Sequence, residues 1–286
     1  MSQIVQLEQG SEAWLAHRRD LRNASETAAV LGISPWVTPY QLWLLKTGRA
    51  EQPTNAAMLR GTELEPLARH AYEVEAAQVM QPLVLQDGAY GASLDGMTLG
   101  GELIVEIKCP MRGQDSTLWR SVASAEVPSH YMAQIQHQLM VSKAALAHLW
   151  VFDGQVGLLH VIEPQAVLIA QIRQAWDAFQ VYLDSDTPPP LVDADTLRRD
   201  DDTWCSAAEA YLKAKLAAQA SDEALDQAKQ ALVALAAHPR EQGAGVTVTR
   251  FWKVGSVDYK KVPELSGVNL DVYRGKAREE VRVTVG

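Results

Sequence analysis

The stretch GASLDGMTLGGELIVEIKCP, residues 91–110, decides the reading of this chain. Its second half alternates with a period of two. Leu103, Val105, Ile107 and Cys109 point one way, and Glu102, Ile104, Glu106 and Lys108 the other. That pattern predicts a strand with a core face and an opposite face carrying a carboxylate and an ammonium two residues apart. Residues 83–92 and 101–109 read as two strands, separated by the turn-rich pairs Asp95-Gly96 and Gly100-Gly101. Asp95 is therefore expected at a turn, and if the strands pair it can lie beside Glu106.

Outward from this stretch, elements of both kinds appear. Leu64, Leu67, Ala68, Ala71 and Tyr72 share one face of a helix over about residues 60–80. A second helix is expected from about Pro128 to Lys143, and a third over roughly 164–184. Between them, HLWVFDG and QVGLLHVIE predict a hairpin around Asp153-Gly154. Four regions follow: an α/β domain over residues 1–186, a Pro/Asp-rich linker over 187–203 containing Thr187-Pro188-Pro189-Pro190, a helical arm over 204–240, and a small β-rich element over 241–286 that includes VTVTRFWKV and EEVRVTV.

Two carboxylates and a lysine on adjoining strands suit phosphodiester cleavage. That reaction needs a hard cation on oxygen ligands, and Mg²⁺ commonly takes only one or two carboxylates. Asp95 and Glu106 supply them, and Lys108 can orient water or stabilise charge on phosphate. Glu63 and Glu65 on the 60–80 helix are both candidates for a further carboxylate. The pattern alone is degenerate: Asp-Gly is commonly a turn, and Glu-x-Lys commonly a solvated strand face.

The surroundings add weight. Trp14, Arg18 and Ser25 form W-x3-R-x6-S, continuing as SETAAVLGISPWVTPYQLWLLKTG. GTELEPLAR (61–69), then SLDG with EIKCP, then HYMAQIQHQLMVS (130–142) follow in order. Together these segments resemble the phage recombination exonucleases of the YqaJ and lambda-exonuclease type, within the PD-(D/E)xK superfamily. The superfamily's proline is missing, since Leu94 precedes Asp95.

The resemblance implies a restriction-endonuclease-like α/β core, a mixed central sheet flanked by helices. It implies catalytic roles for Glu65, Asp95, Glu106 and Lys108, with metal held by Asp95, Glu106, the carbonyl of Ile107 and Glu65. Arg18, Ser25 and Gln134 would bind substrate; an arginine fork and a hydroxyl are apt donors to a terminal phosphate. It implies a Mg²⁺-dependent exodeoxyribonuclease, with Mn²⁺ as a substitute, degrading linear duplex DNA 5′→3′ to leave 3′ overhangs. It further implies double-stranded DNA ends as substrate, a ring-shaped homotrimer and a single-strand-annealing partner. The expected setting is a bacterial host cytoplasm, with the protein phage or prophage encoded. The alternatives are an endonuclease or structure-specific nuclease on the same core, or a non-catalytic recombination scaffold.

Bulk properties fit such a chain. The 286 residues carry a net charge of −9, which argues against nonspecific coating of nucleic acid but not against one local basic channel. Two cysteines exclude a disulfide framework or a four-cysteine metal site, and no apolar run is long enough for a transmembrane helix. The N-terminus lacks the features of a secretion signal.

Other residues have plainer readings. Arg69 can pair with Glu65 four residues earlier, and Ser25 can be a helix cap. His130 and His137 are expected to pack or face solvent, Cys109 to be a small buried hydrophobe, and Trp36 and Trp43 to pack the N-terminal helices, with a DNA-end wedge near this region as the sharper alternative. Leu212, Leu216, Leu225, Leu232 and Leu235 form a broken stripe for packing or a partner. Arg250, Lys253, Lys260, Lys261, Arg274, Lys276, Arg278 and Arg282, interleaved with Phe251, Trp252, Tyr259 and Tyr273, offer a surface for DNA or a partner.

Overall fold

The computed structural model describes residues 2–256 apart from Glu8 and Gln52, together with Val262, Pro263 and Val268. The expected terminal strand EEVRVTV, and the basic and aromatic residues from Tyr259 onward, lie outside the described residues. The chain divides into two units, residues 1–196 and 197–286.

In the first unit the elements run β1 (Gln3–Val5), α1 (Glu12–Arg19), β2 (Arg22–Asn23), α2 (Thr27–Val30), α3 (Pro39–Lys46) and α4 (Ala56–Ala76). They continue as β3 (Gln81–Asp87), β4 (Tyr90–Met97), β5 (Leu103–Lys108), α5 (Thr117–Ala123) and α6 (Ser129–Ser142). The last are β6 (Leu146–Phe152), β7 (Gly157–Ile162) and α7 (Ala166–Asp184). One mixed sheet has the order β1-β3-β4-β5-β6-β7, with β2 parallel to β4. The β5–β6 pair is parallel, as a connection through α5 and α6 allows, while β3–β4, β4–β5 and β6–β7 are antiparallel. This is the expected mixed sheet flanked by helices.

Two details of the 83–110 region differ from expectation. Residues 83–92 are not one strand. Asp87 pairs with Tyr90 across a two-residue turn, and Gly88 takes φ +61°, a value most side chains resist. Asp95 consequently lies within β4 rather than at a turn. Its neighbour Gly96 is required by close packing. A Cβ there would come within 2.7 Å of Met80 Cβ and 2.9 Å of Val105 Cγ1.

The second difference is burial. Leu103 to Ile107 are all buried, so β5 has two covered faces rather than one. Val105 and Ile107 pack with Ala68 and Tyr72 of α4. Ile104 belongs to the larger core with Ile135 and Leu139 of α6. Each fully buried branched aliphatic contributes about 2 kcal/mol, so α4 and α6 are clamped to opposite faces of the central strand. His137 and Trp176 tie α6 and α7 to α2 through Thr27. Its Oγ1 lies 2.6 Å from His137 Nδ1 and accepts the Trp176 indole N–H at 3.2 Å.

Residues 187–196 belong with the first unit, and Asp195 accepts the Thr38 hydroxyl at 2.6 Å. The second unit holds α8 (Asp202–Leu235) and the hairpin β8 (Arg240–Gly243) with β9 (Val246–Thr249). Asp201 caps α8 by accepting from Trp204 N. Arg250 donates to the carbonyls of Val233 and Ala236, joining the hairpin to the end of α8. Among the described residues no helix is long and apolar enough to cross a membrane.

Candidate active site

The pairing of β4 with β5 sets the first relationship. Gly96 stands opposite Val105 and Met97 opposite Ile104, so the register continues to Asp95 facing Glu106. There the ladder stops, and the Asp95 carboxylate itself accepts the Ile107 N–H at 2.7 Å. The two carboxylates expected to act together are thus fixed on neighbouring strands by a bond from one to the other's backbone.

Glu106 is 2% exposed and lies under α6. The Lys108 ammonium sits 2.5 Å from its Oε1. Gln134 donates to the same oxygen at 2.6 Å, and its own carbonyl accepts from Lys108 at 3.4 Å. Gln138, one turn further along α6, donates to Glu106 Oε2 and to the Ser93 carbonyl. Residues i and i+4 lie on one helix face, which is why two glutamines reach one carboxylate. Gln138 was missed in the sequence. The signal was present as Q-x3-Q in MAQIQHQ, but nothing local says which of three glutamines points at the sheet.

Glu65 enters from α4. Arg69 bonds Glu65 Oε1 at 3.0 Å and, with the same nitrogen, the Asp95 carbonyl at 3.1 Å. The plain helix pair is present, and Arg69 also joins Glu65 to the strand that carries Asp95. Among the described residues, no three His, Cys, Asp or Glu side chains stand together as a ready metal cage. Asp95 and Glu106 are adjacent, whereas Glu65 is linked through arginine.

Electrostatics sharpen the picture. Burial and the neighbouring charge of Glu106 raise the Asp95 carboxyl well above its usual range, with Glu65 adding to the effect and Lys108 opposing it. Burial pulls the Lys108 ammonium toward release, but Glu106 and Asp95 outweigh it and its pKa is raised, so it stays charged. Three carboxylates face two cations, Lys108 and Arg69, leaving the cluster short of positive charge. Cys109 is half-buried against the α4-side core, and burial lifts its thiol to about 11, so it is inert packing.

Arg18 and Ser25 also come together. The Arg18 guanidinium donates to Ser25 Oγ at 2.8 Å and lies 4.4 Å from the Trp14 ring centroid. Trp14 in turn donates to Ser93 Oγ, two residues before Asp95. The Lys46 ammonium and Asn23 amide both bond the Arg18 carbonyl, at 3.1 and 2.7 Å, and fix the end of α1. Trp43 is buried as expected, donating to the Tyr182 carbonyl. Trp36, expected to pack alike, is exposed because it sits on the loop before α3.

The chain is similar to known proteins over the region that carries these residues. The model of the YqaJ-like viral recombinase domain matches residues 13–145, which contain the whole cluster. The chain is 28% identical over 232 residues to the uncharacterized protein YqaJ of Bacillus subtilis strain 168, covering 77% of this chain and 67% of that one. It superposes on the alkaline exonuclease LHK-Exo of Laribacter hongkongensis with 28% identity and a TM-score of 0.53, covering 62% of this chain and 94% of that one. A second structure of LHK-Exo, in complex with dAMP, matches at 26% identity with the same TM-score of 0.53 and the same coverage of 62% and 94%.

Proposed function

We propose that this YqaJ-like protein is a divalent-metal-dependent exodeoxyribonuclease that degrades linear duplex DNA 5′→3′ and leaves 3′ overhangs for recombination. The observation that carries the reading is the paired Asp95 and Glu106 with Lys108 on one oxygen of Glu106. The named activity of LHK-Exo supports the exonuclease class.

The donor set fits a hard cation. All candidate ligands are oxygens, and the three carboxylates outnumber the two cations beside them. Asp95, Glu106 and the Ile107 carbonyl would hold Mg²⁺, or Mn²⁺ in its place, with Glu65 assisting. When bound, the cation polarises the scissile phosphate and makes water more acidic.

The chain's own residues do the rest. Asp95 keeps its position through the Ile107 N–H. Gln134 and Gln138 fix the rotation of the Glu106 carboxylate. Lys108, held charged, donates to phosphate or orients water rather than accepting a proton. Arg18 and Ser25 would receive the 5′ phosphate, since a planar guanidinium matches its oxygens. A ring trimer, an annealing partner and a phage or prophage origin in a bacterial cytoplasm belong to the same reading.

The test uses linear duplex DNA in Mg²⁺, labelled separately at its 5′ and 3′ ends, beside a closed circle and an Asp95→Ala control. Fast release of the 5′ label, an intact circle and an inactive variant are expected. A cut circle would replace the reading with an endonuclease. Absence of cleavage in Mg²⁺ and in Mn²⁺ would replace it with a non-catalytic scaffold.

A further inference from the structure

An aromatic strip with one exposed end adjoins the reaction centre. Trp36 is 66% exposed. Its backbone is nevertheless pinned: Ser34 Oγ accepts from the N–H groups of Trp36 and Val37, and Thr38 caps α3 two residues later. Its indole contacts His130 at 4.9 Å and 85°, and Tyr131 at 5.9 Å and 54°. Neither ring is stacked on the indole, and two-thirds of Trp36 stays open to solvent. The His130 and Tyr131 rings are 4.3 Å apart, and Lys108 Nζ lies 5.3 Å from the Tyr131 centroid. The strip therefore runs from solvent to the lysine that touches Glu106, and Gln134 stands one turn beyond it on α6.

An indole held out in water on a rigid turn contributes little to the fold. Beside a phosphate-cleaving centre, a planar ring with an open face suits a nucleobase, which every nucleotide offers whatever its sequence. We propose that Trp36, backed by His130 and Tyr131, is a stacking platform for an unpaired base of the nucleotide adjoining the scissile phosphate. This rests on the nuclease reading above and adds the substrate feature that the strip recognises: a base freed from its partner.

The test is a binding cycle in the full chain carrying Asp95→Asn, which blocks cleavage. Affinity is measured for a linear duplex with an intact 5′-terminal nucleotide and for one with an abasic nucleotide there, each with Trp36 and with Trp36→Ala. Stacking predicts that Trp36→Ala weakens binding of the intact end about tenfold, while the abasic end loses less than about twofold. Trp36→Phe should recover most of the loss. Equal losses on both ends, or none, would overturn the platform while cleavage by the unsubstituted chain leaves the nuclease reading standing. Failure of the unsubstituted chain either to cleave or to bind DNA would remove both together.

Discussion

The carboxylate of Asp95 accepts the backbone N–H of Ile107 at 2.7 Å, the point at which the β4–β5 ladder gives way to side-chain bonding. A residue expected to hold metal therefore also does the work of a backbone carbonyl. The bond fixes the spacing of the two acidic side chains without any ligand.

Asp95→Asn separates these two duties. The amide oxygen can still accept from Ile107, while the charge that burial and Glu106 disfavour is gone. Cleavage should fall at least about a hundredfold. Without metal, stability should hold or rise by about 1 kcal/mol, a melting shift of roughly 2–4 °C. Thermal denaturation beside a cleavage assay checks both; a melting temperature lowered along with activity would make Asp95 mainly structural.

Gln138→Leu leaves Glu106 Oε2 buried without its donor. An orphaned acceptor costs about 1–3 kcal/mol. Loosening a metal ligand's support raises the metal requirement by roughly 10–100-fold. The Mg²⁺ concentration for half-maximal cleavage, compared between variant and parent, is the measurement. An unchanged value would mean that Gln134 alone orients the carboxylate.

Arg18→Ala removes the fork that now rests on Ser25. On 5′-phosphorylated duplex ends the KM should rise roughly 10–100-fold, the loss of one charge-assisted bond of about 1.5–3 kcal/mol. On 5′-hydroxyl ends it should not change. Equal effects on the two substrates would assign Arg18 to holding α1 rather than to the terminal phosphate.

His137 sets an acid limit on stability. Burial first, then the charge of Arg173, pulls its pKa from 6.5 to about 3. The unfolded chain takes up a proton below pH 6.5 while the folded one stays neutral. This contribution is complete above pH 6.5 and is lost as pH falls toward 3. The cost between pH 7 and pH 5 is about 2 kcal/mol. Urea unfolding of parent and His137→Gln at both pH values should show a smaller pH dependence in the variant.

Gly96→Ala forces a methyl against Met80 and Val105. Overpacking of this kind costs about 1–3 kcal/mol. Because Asp95 is the preceding residue, cleavage should fall as well, at metal concentrations that saturate the parent. Chemical denaturation and single-turnover cleavage test the pair of effects. Full stability would show that Met80 and Val105 yield to the added methyl.

Much of this was legible in the residues. The alternation from Leu103 to Cys109 predicted β5, and the turn at Asp153-Gly154 predicted the β6–β7 hairpin, because both are local patterns repeated over a few residues. The order of acidic, basic and amide residues named the cluster through a resemblance. The bulge of meaning lay elsewhere. Glycine at 88 and glycine at 96 look alike in sequence, yet one makes a turn and the other makes room, so Asp95 was placed at a turn when it belongs to a strand.

The sequence by itself determined the strand that carries Glu106 and Lys108, the helices on either side of it, and the set of residues fit for phosphodiester chemistry. Those follow from periodicity and side-chain type. Tertiary structure alone decided that both faces of β5 are buried, that Gln138 reaches Glu106 across 32 positions, that Arg69 reaches Asp95 across 26, and that Trp36 faces water. The reason is physical. Burial and hydrogen bonding of this kind belong to pairs of surfaces brought together by folding, and neither surface contains the other's position in its local pattern.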